Sequence, residues 1–189
     1  MSSRLIVNSI RHTGASSDAI TLDSAGKCSF PNGGAGKILQ VVETVKTDTA
    51  SQVINTVSDF NPSYLRRSIT TTGSNKVLVE GFISISMTGV TNSIMIGLRR
   101  NNSDVGVGDA SGSKRRCTVS SFITEDHHMT AIPFSFLDSP SAGTHEYHLQ
   151  FSHSSGSSQT IFINRTYDDI DTVKFPRTIS LIRCSEVAV

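Results

Sequence analysis

Apolar and polar side chains alternate strictly in Ile83-Ser84-Ile85-Ser86, and the same period of two returns all along the chain. Ile94, Ile96 and Leu98 fall on one face of a run, and so do Tyr147, Leu149 and Phe151. Phe134-Ser135-Phe136 alternates in the same way. A period of two sends successive side chains to opposite faces, so each run reads as a β-strand with one face buried. Ile38 to Val45, Val77 to Phe82, Ile161 to Ile163 and Ile179 to Val187 supply further strands. Turn formers separate them: Thr72-Gly73-Ser74-Asn75, Asn101-Asn102-Ser103-Asp104, Asp109-Ala110-Ser111-Gly112-Ser113 and Ser154-Ser155-Gly156-Ser157-Ser158. No segment has the pattern of a helix longer than a turn or two, and no internal repeat is evident. Short strands punctuated by such turns predict an all-β chain, a β-sandwich with a jelly roll as its leading topology.

Composition agrees. Ser and Thr make up about a quarter of the chain, well above average usage, and the β-branched residues are abundant. A length of 189 residues allows one sizeable core and is short for two full-sized ones. The formal net charge of +1 predicts no general attraction to nucleic acid. Arg66-Arg67, Arg99-Arg100 and Lys114-Arg115-Arg116 read as solvated strand ends. No apolar run is long enough to span a membrane, which predicts no membrane insertion. Met1 to Asn8 does not read as a signal peptide, because its apolar stretch is short and interrupted.

Residues 1–36 read as a separate segment. Leu5-Ile6-Val7 with Ile10, then Ala19 to Leu22, then Cys28-Ser29-Phe30 suggest three very short strands. Hairpins of this size are marginal in water, so the segment needs neighbours. Leu5, Val7, Ile10, Ile20, Leu22 and Phe30 are its candidate attachment residues. Pro31-Asn32-Gly33-Gly34-Ala35-Gly36 reads as a linker, which leaves residues 37–189 as the sandwich domain.

Reactive chemistry is sparse. Cys28, Cys117 and Cys184 are isolated and odd in number, which argues against a disulfide framework and for assembly in a reducing cytoplasm. Cys184 shares a strand face with Ile182 and reads as a small buried hydrophobe. His12, His127, His128, His145, His148 and His153 match no zinc spacing, although a histidine on a threefold axis would offer three symmetry-related ligands. Asp168-Asp169-Ile170-Asp171 lacks the glycine of a calcium loop and reads as a tight loop paired with Arg165 and Arg177. Asp126-His127 has no nucleophile elbow to complete a triad, and Gly106-Val107-Gly108-Asp109-Ala110-Ser111-Gly112 lacks the Lys-Ser/Thr ending of a phosphate loop. Asn101-Asn102-Ser103 and Asn164-Arg165-Thr166 match the glycosylation pattern and carry little weight. The chain therefore predicts no enzyme, no cofactor and no metal site.

Several stretches are similar to a known family: Lys37 to Val42 with Lys46-Thr47-Asp48-Thr49, Gly106 to Ser113, Phe134 to Pro140, Asn164-Arg165-Thr166, and Phe175-Pro176-Arg177 before a closing strand ending Glu186-Val187-Ala188. With the opening Val7-Asn8-Ser9-Ile10 and Ile20 to Gly26, the chain resembles virion structural proteins of marine and cyanobacterial tailed phages, a group that includes tail-fibre, head-fibre and decoration proteins. The resemblance implies a virion component assembled in the host bacterial cytoplasm. The expectation is a homotrimeric short fibre or decoration protein, anchored to other virion proteins through residues 1–36 and displaying the sandwich outward. The alternative is a receptor-binding tail tip that recognises a host-surface glycan or protein. A polysaccharide-degrading tail enzyme ranks last.

Overall fold

A computed structural model describes residues 7–26, 28–29, 37–55, 57–59, 65–89, 91–125 and 128–189. Among them the regular elements are all strands: β1 (Ser9–Ile10), β2 (Ile20–Leu22), β3 (Cys28–Ser29), β4 (Ile38–Lys46), β5 (Ala50–Ile54), β6 (Val57–Asp59), β7 (Arg66–Thr71), β8 (Lys76–Met87), β9 (Asn92–Arg100), β10 (Ser103–Val105), β11 (Val119–Ile123), β12 (Thr130–Asp138), β13 (Gly143–His153), β14 (Gln159–Ile163) and β15 (Ser180–Val187).

The first three form a small antiparallel sheet in the order β1-β2-β3. The rest form two sheets. One runs β4-β15-β8-β12 and the other β7-β13-β9-β11, all pairs antiparallel. Sequential strands cross repeatedly between the sheets, which is the jelly-roll order. The expected all-β sandwich is therefore present, and its topology is the expected one.

The central strands are longer than most of their partners, so two strands in succession share one edge. β15 pairs with β8 up to Phe82 and β14 takes over from Ile85. β7 and β6 share one edge of β13, and β11 and β10 share one edge of β9. Each hand-over leaves backbone groups that the regular ladder does not pair. At β9, the Thr118 hydroxyl accepts from Leu98 N–H at 2.8 Å and Thr118 N–H donates to Ile96 O at 2.8 Å.

The core lies between the two sheets and follows the alternation. Val77, Val79, Ile83, Ile85 and Met87 of β8 meet Ile94, Ile96 and Leu98 of β9 and Tyr147, Leu149 and Phe151 of β13 in one buried cluster. Cys184 and Ile182 sit in it together, both fully buried. Burial keeps the Cys184 thiol protonated, with its pKa pushed up to about 12. Gly81 lets β15 come close, because a Cβ there would overlap the Leu181 carbonyl oxygen and stand 3.0 Å from the Phe134 ring.

One expectation needs correction. Ile83 to Ser86 read as a strand buried on one face, yet Ser84 and Ser86 are also buried. Segment 164–179 folds across their side of the sheet: the Ser84 hydroxyl donates to Ile179 O at 3.0 Å and the Ser86 hydroxyl to Arg165 O at 2.9 Å. Serine tolerates this burial because a backbone carbonyl meets each hydroxyl.

Candidate functional site

The small N-terminal sheet gathers part of the expected attachment set. Ile10 lies directly opposite Ile20, and Leu22 lies opposite Cys28. Directly opposed residues of an antiparallel pair point the same way, as do residues two apart on a strand. Ile10, Ile20 and Leu22 therefore share one face, on which Ile10 is 51% and Leu22 38% exposed. Val7 precedes β1 and is half-buried. Leu5 and Phe30 lie outside the described residues, as does the 31–36 linker. The strands are held by their own pairing and by local bonds such as Leu22 N–H to Asn8 O and Ala19 N–H to Ile10 O, both 2.8 Å.

A second surface was not singled out in the sequence. On the outer face of the β4-β15-β8-β12 sheet, the register lines up three rows. Glu43, Arg183, Glu80 and Ser135 form the middle row. Val45, Leu181, Phe82 and Pro133 lie on one side of it, and Val41, Ser185, Leu78 and Leu137 on the other. Val41, Val45 and Leu137 are 51%, 46% and 47% exposed. Arg183 donates to Glu43 Oε2 through Nε at 3.1 Å and Nη2 at 2.9 Å. A depression of about 230 Å³ opens in the middle, lined by Glu80, Phe82, Phe134, Ser135, Leu181 and Arg183 together with Gly81. The signal was present in β4, whose apolar residues fall on both faces of the strand: Val42 packs on the core while Val41 and Val45 look outward.

Segment 164–179 is anchored at its root and exposed at its tip. Asp169 accepts from Arg177 at 2.6 Å and stands 3.5 Å from Arg165, the pairing expected of the acidic cluster. Arg165 also lies over the Phe162 ring at 4.2 Å, and Tyr167 packs on the same ring. Beyond this root, Tyr167, Ile170 and Val173 are 40%, 53% and 103% exposed. The root itself is Asn164. Its side-chain nitrogen donates to Lys46 O at 2.9 Å and Asp48 O at 2.8 Å, so this buried amide is committed to the fold and is no glycan acceptor in the folded chain.

The polar groups that invited chemistry are mostly structural. His145 and His153 point into the sandwich, as the alternation requires, and both are buried. His153 Nε2 bonds Ile54 O at 2.8 Å, and His145 bridges Asn101 and Ser141 O. His148 is buried on the opposite side of β13, 3.5 Å from Glu146. Asp138 accepts from Arg100 at 2.6 Å and from the Tyr147 hydroxyl at 2.7 Å. Burial, reinforced by that carboxylate, holds the Tyr147 phenol far above its ordinary pKa. Glu186 is the converse case: hydrogen bonds from Asn75 and Gln40 hold its carboxyl below the usual range. His145, Asp138, Tyr147 and Glu186 thus already have hydrogen-bond partners within the fold. Asp126 and His127 lie outside the described residues. Among the described residues no group of three or more His, Cys, Asp or Glu is placed to hold a metal ion. The glycine loop after β10 is an ordinary connection, with Gly106 packed against the Phe136 ring.

No protein-family model matches the chain, and no curated protein matches it.

Proposed function

We propose that this protein is a non-enzymatic structural component of a tailed-phage virion, a short trimeric fibre or decoration protein. Residues 1–36 attach it to another virion protein, and the jelly roll faces solvent. The observation that carries the reading is the N-terminal sheet, which presents Ile10 and Leu22 half open to solvent on one face. Ordering a residue costs roughly 1–2 kcal/mol, and strands of two or three residues bury too little to recover it alone. Burying each such side chain against a partner contributes about 1.5–3 kcal/mol. Three copies around an axis multiply the contact without strong single sites. The jelly roll has its own core and stands without help.

The test uses particles lacking the protein. The full chain should attach to them, the chain without residues 1–36 should not, and residues 1–36 fused to an unrelated trimer should. Normal attachment of the truncated chain would reverse the proposed orientation.

The receptor-binding reading draws on the segment 164–179, whose exposed Tyr167, Ile170 and Val173 suit contact with a host surface. Competition of purified residues 37–189 with phage adsorption would favour it. The polysaccharide-degrading reading remains last, since Asp169 is occupied by two guanidinium groups and is poorly placed to act as an acid or base.

A further inference from the structure

We infer that the outer face of the β4-β15-β8-β12 sheet is where copies of this chain pack on one another, with Arg183 of one copy against Glu80 of the next. The inference rests on the oligomeric reading above and names the surface that reading requires.

Three observations carry it. First, the face is apolar beyond what a solvated sheet needs: Val41, Val45 and Leu137 are each about half exposed, beside the half-buried Leu78, Phe82 and Leu181. A sandwich facing water usually alternates apolar-in with polar-out, and here the outward positions of four adjacent strands break that rule. Segment 164–179 covers only the end of the sheet near Ser84 and Ser86, leaving these rows open.

Second, the charges in the middle row are incompletely matched within one chain. Glu43 takes the Nε and Nη2 hydrogens of Arg183, while Arg183 Nη1 and the Glu80 carboxylate make no hydrogen bond or ion pair among the described residues. Glu80 is half-buried, which makes an unmatched carboxylate costlier than on an open surface.

Third, the row is complementary to itself. Along it the charges run minus, plus, minus, neutral, from Glu43 to Ser135. When two such faces meet about a symmetry axis parallel to the strands, the rows lie at equal height. The Arg183 half of one copy then opposes the Glu80 half of the next, and the apolar rows above and below meet apolar rows. A foreign partner has no such reason to match the spacing. Twofold closure sets both halves of the face against one partner and makes a dimer, whereas threefold closure sets each half against a different neighbour and makes a trimer.

The test is the mass of the full chain by light scattering, with circular dichroism as the control for folding. Val41→Asp and Leu137→Asp should each convert the oligomer to a folded monomer; both side chains are about half exposed, so the fold tolerates them. Glu80→Arg should weaken self-association by roughly 100-fold, since opposed like charges cost several kcal/mol at a contact. Reversing the whole row, Glu43→Arg with Glu80→Arg and Arg183→Glu, should restore assembly, because every pair along and across the contact regains its opposite charge. An oligomer indifferent to all of these overturns this inference and leaves the trimer reading standing. A dimer that responds as described supports the face and overturns the trimer. A folded wild-type monomer at micromolar concentration overturns both.

Discussion

The Ser180 hydroxyl donates to Asn164 Oδ1 at 2.6 Å, and this one bond joins the end of β14 to the start of β15 where they share the edge of β8. Around it, Ser84 N–H donates to the Ser180 oxygen at 3.0 Å, and Asn164 N–H donates to Ser84 O at 2.9 Å. The Asn164 amide reaches on to Lys46 and Asp48 at the turn between β4 and β5. Asn164 adopts φ 60°, a conformation that asparagine tolerates better than most residues. One side chain thus closes a gap that regular ladder pairing leaves open.

Asn164→Ala is therefore expected to cost about 3 kcal/mol, since several buried donors and acceptors lose partners at once and alanine resists the left-handed backbone. Asn164→Gly keeps the backbone free and should cost about 1 kcal/mol less. Urea denaturation measures both. A loss below about 1 kcal/mol for Asn164→Ala would show that water replaces the amide without penalty.

Gly106 tests close packing. It has φ 60°, and a Cβ on it would stand 2.6 Å from the Phe136 ring. Gly112 has φ 55° with open space around it. Gly112→Ala should then show backbone strain alone, about 1 kcal/mol, and Gly106→Ala a further 1–3 kcal/mol from overpacking. Equal losses in thermal melts would mean that the ring moves aside freely.

Alkaline pH should destabilise the fold through Cys184. Its thiol is held up to about 12 by burial, against 9.0 in an unfolded chain. Between those values the unfolded chain gives up the proton and the folded one keeps it. The stability this group contributes is thus intact below pH 9 and declines as pH rises toward 12, by at most about 1.4 kcal/mol per pH unit. Tyr147 adds to the decline from pH 10 upward, since burial raises its phenol in the same sense. Cys184→Ala should flatten the slope between pH 9 and 10 in urea titrations. An unchanged slope would assign the alkaline loss to other groups.

Residues 37–189 should fold without the N-terminal segment, because both jelly-roll sheets lie within them. The truncated chain is expected to be soluble, to give β-type circular dichroism and to melt within a few degrees of the full chain. Insolubility, or a melting point lowered by ten degrees or so, would place a stabilising interface between the two parts.

Of the sandwich strands, β5, β6, β7, β10 and β11 were not legible in the sequence; what the sequence by itself determined were β4, β8, β9, β12, β13, β14 and β15, the turns between strands and which side chains face the core. These follow from a period of two and from turn chemistry, and both are local. It also carried the pairing of Asp169 with Arg165 and Arg177, which are close along the chain, and the burial of Cys184 beside Ile182. Only the tertiary structure decided what happens at the other face of each strand. Alternation marks Ser84, Ser86 and His148 as outward, yet they are buried, since what covers an outward position is chosen by chain distant in sequence. Asn164 looked like part of a glycosylation pattern and is a closure of the sheet, because its partners Lys46, Asp48 and Ser84 are many residues away. The row Glu43, Arg183, Glu80 and Ser135 was invisible for the same reason. Its members come from four strands, and only the order and register of those strands bring them into line.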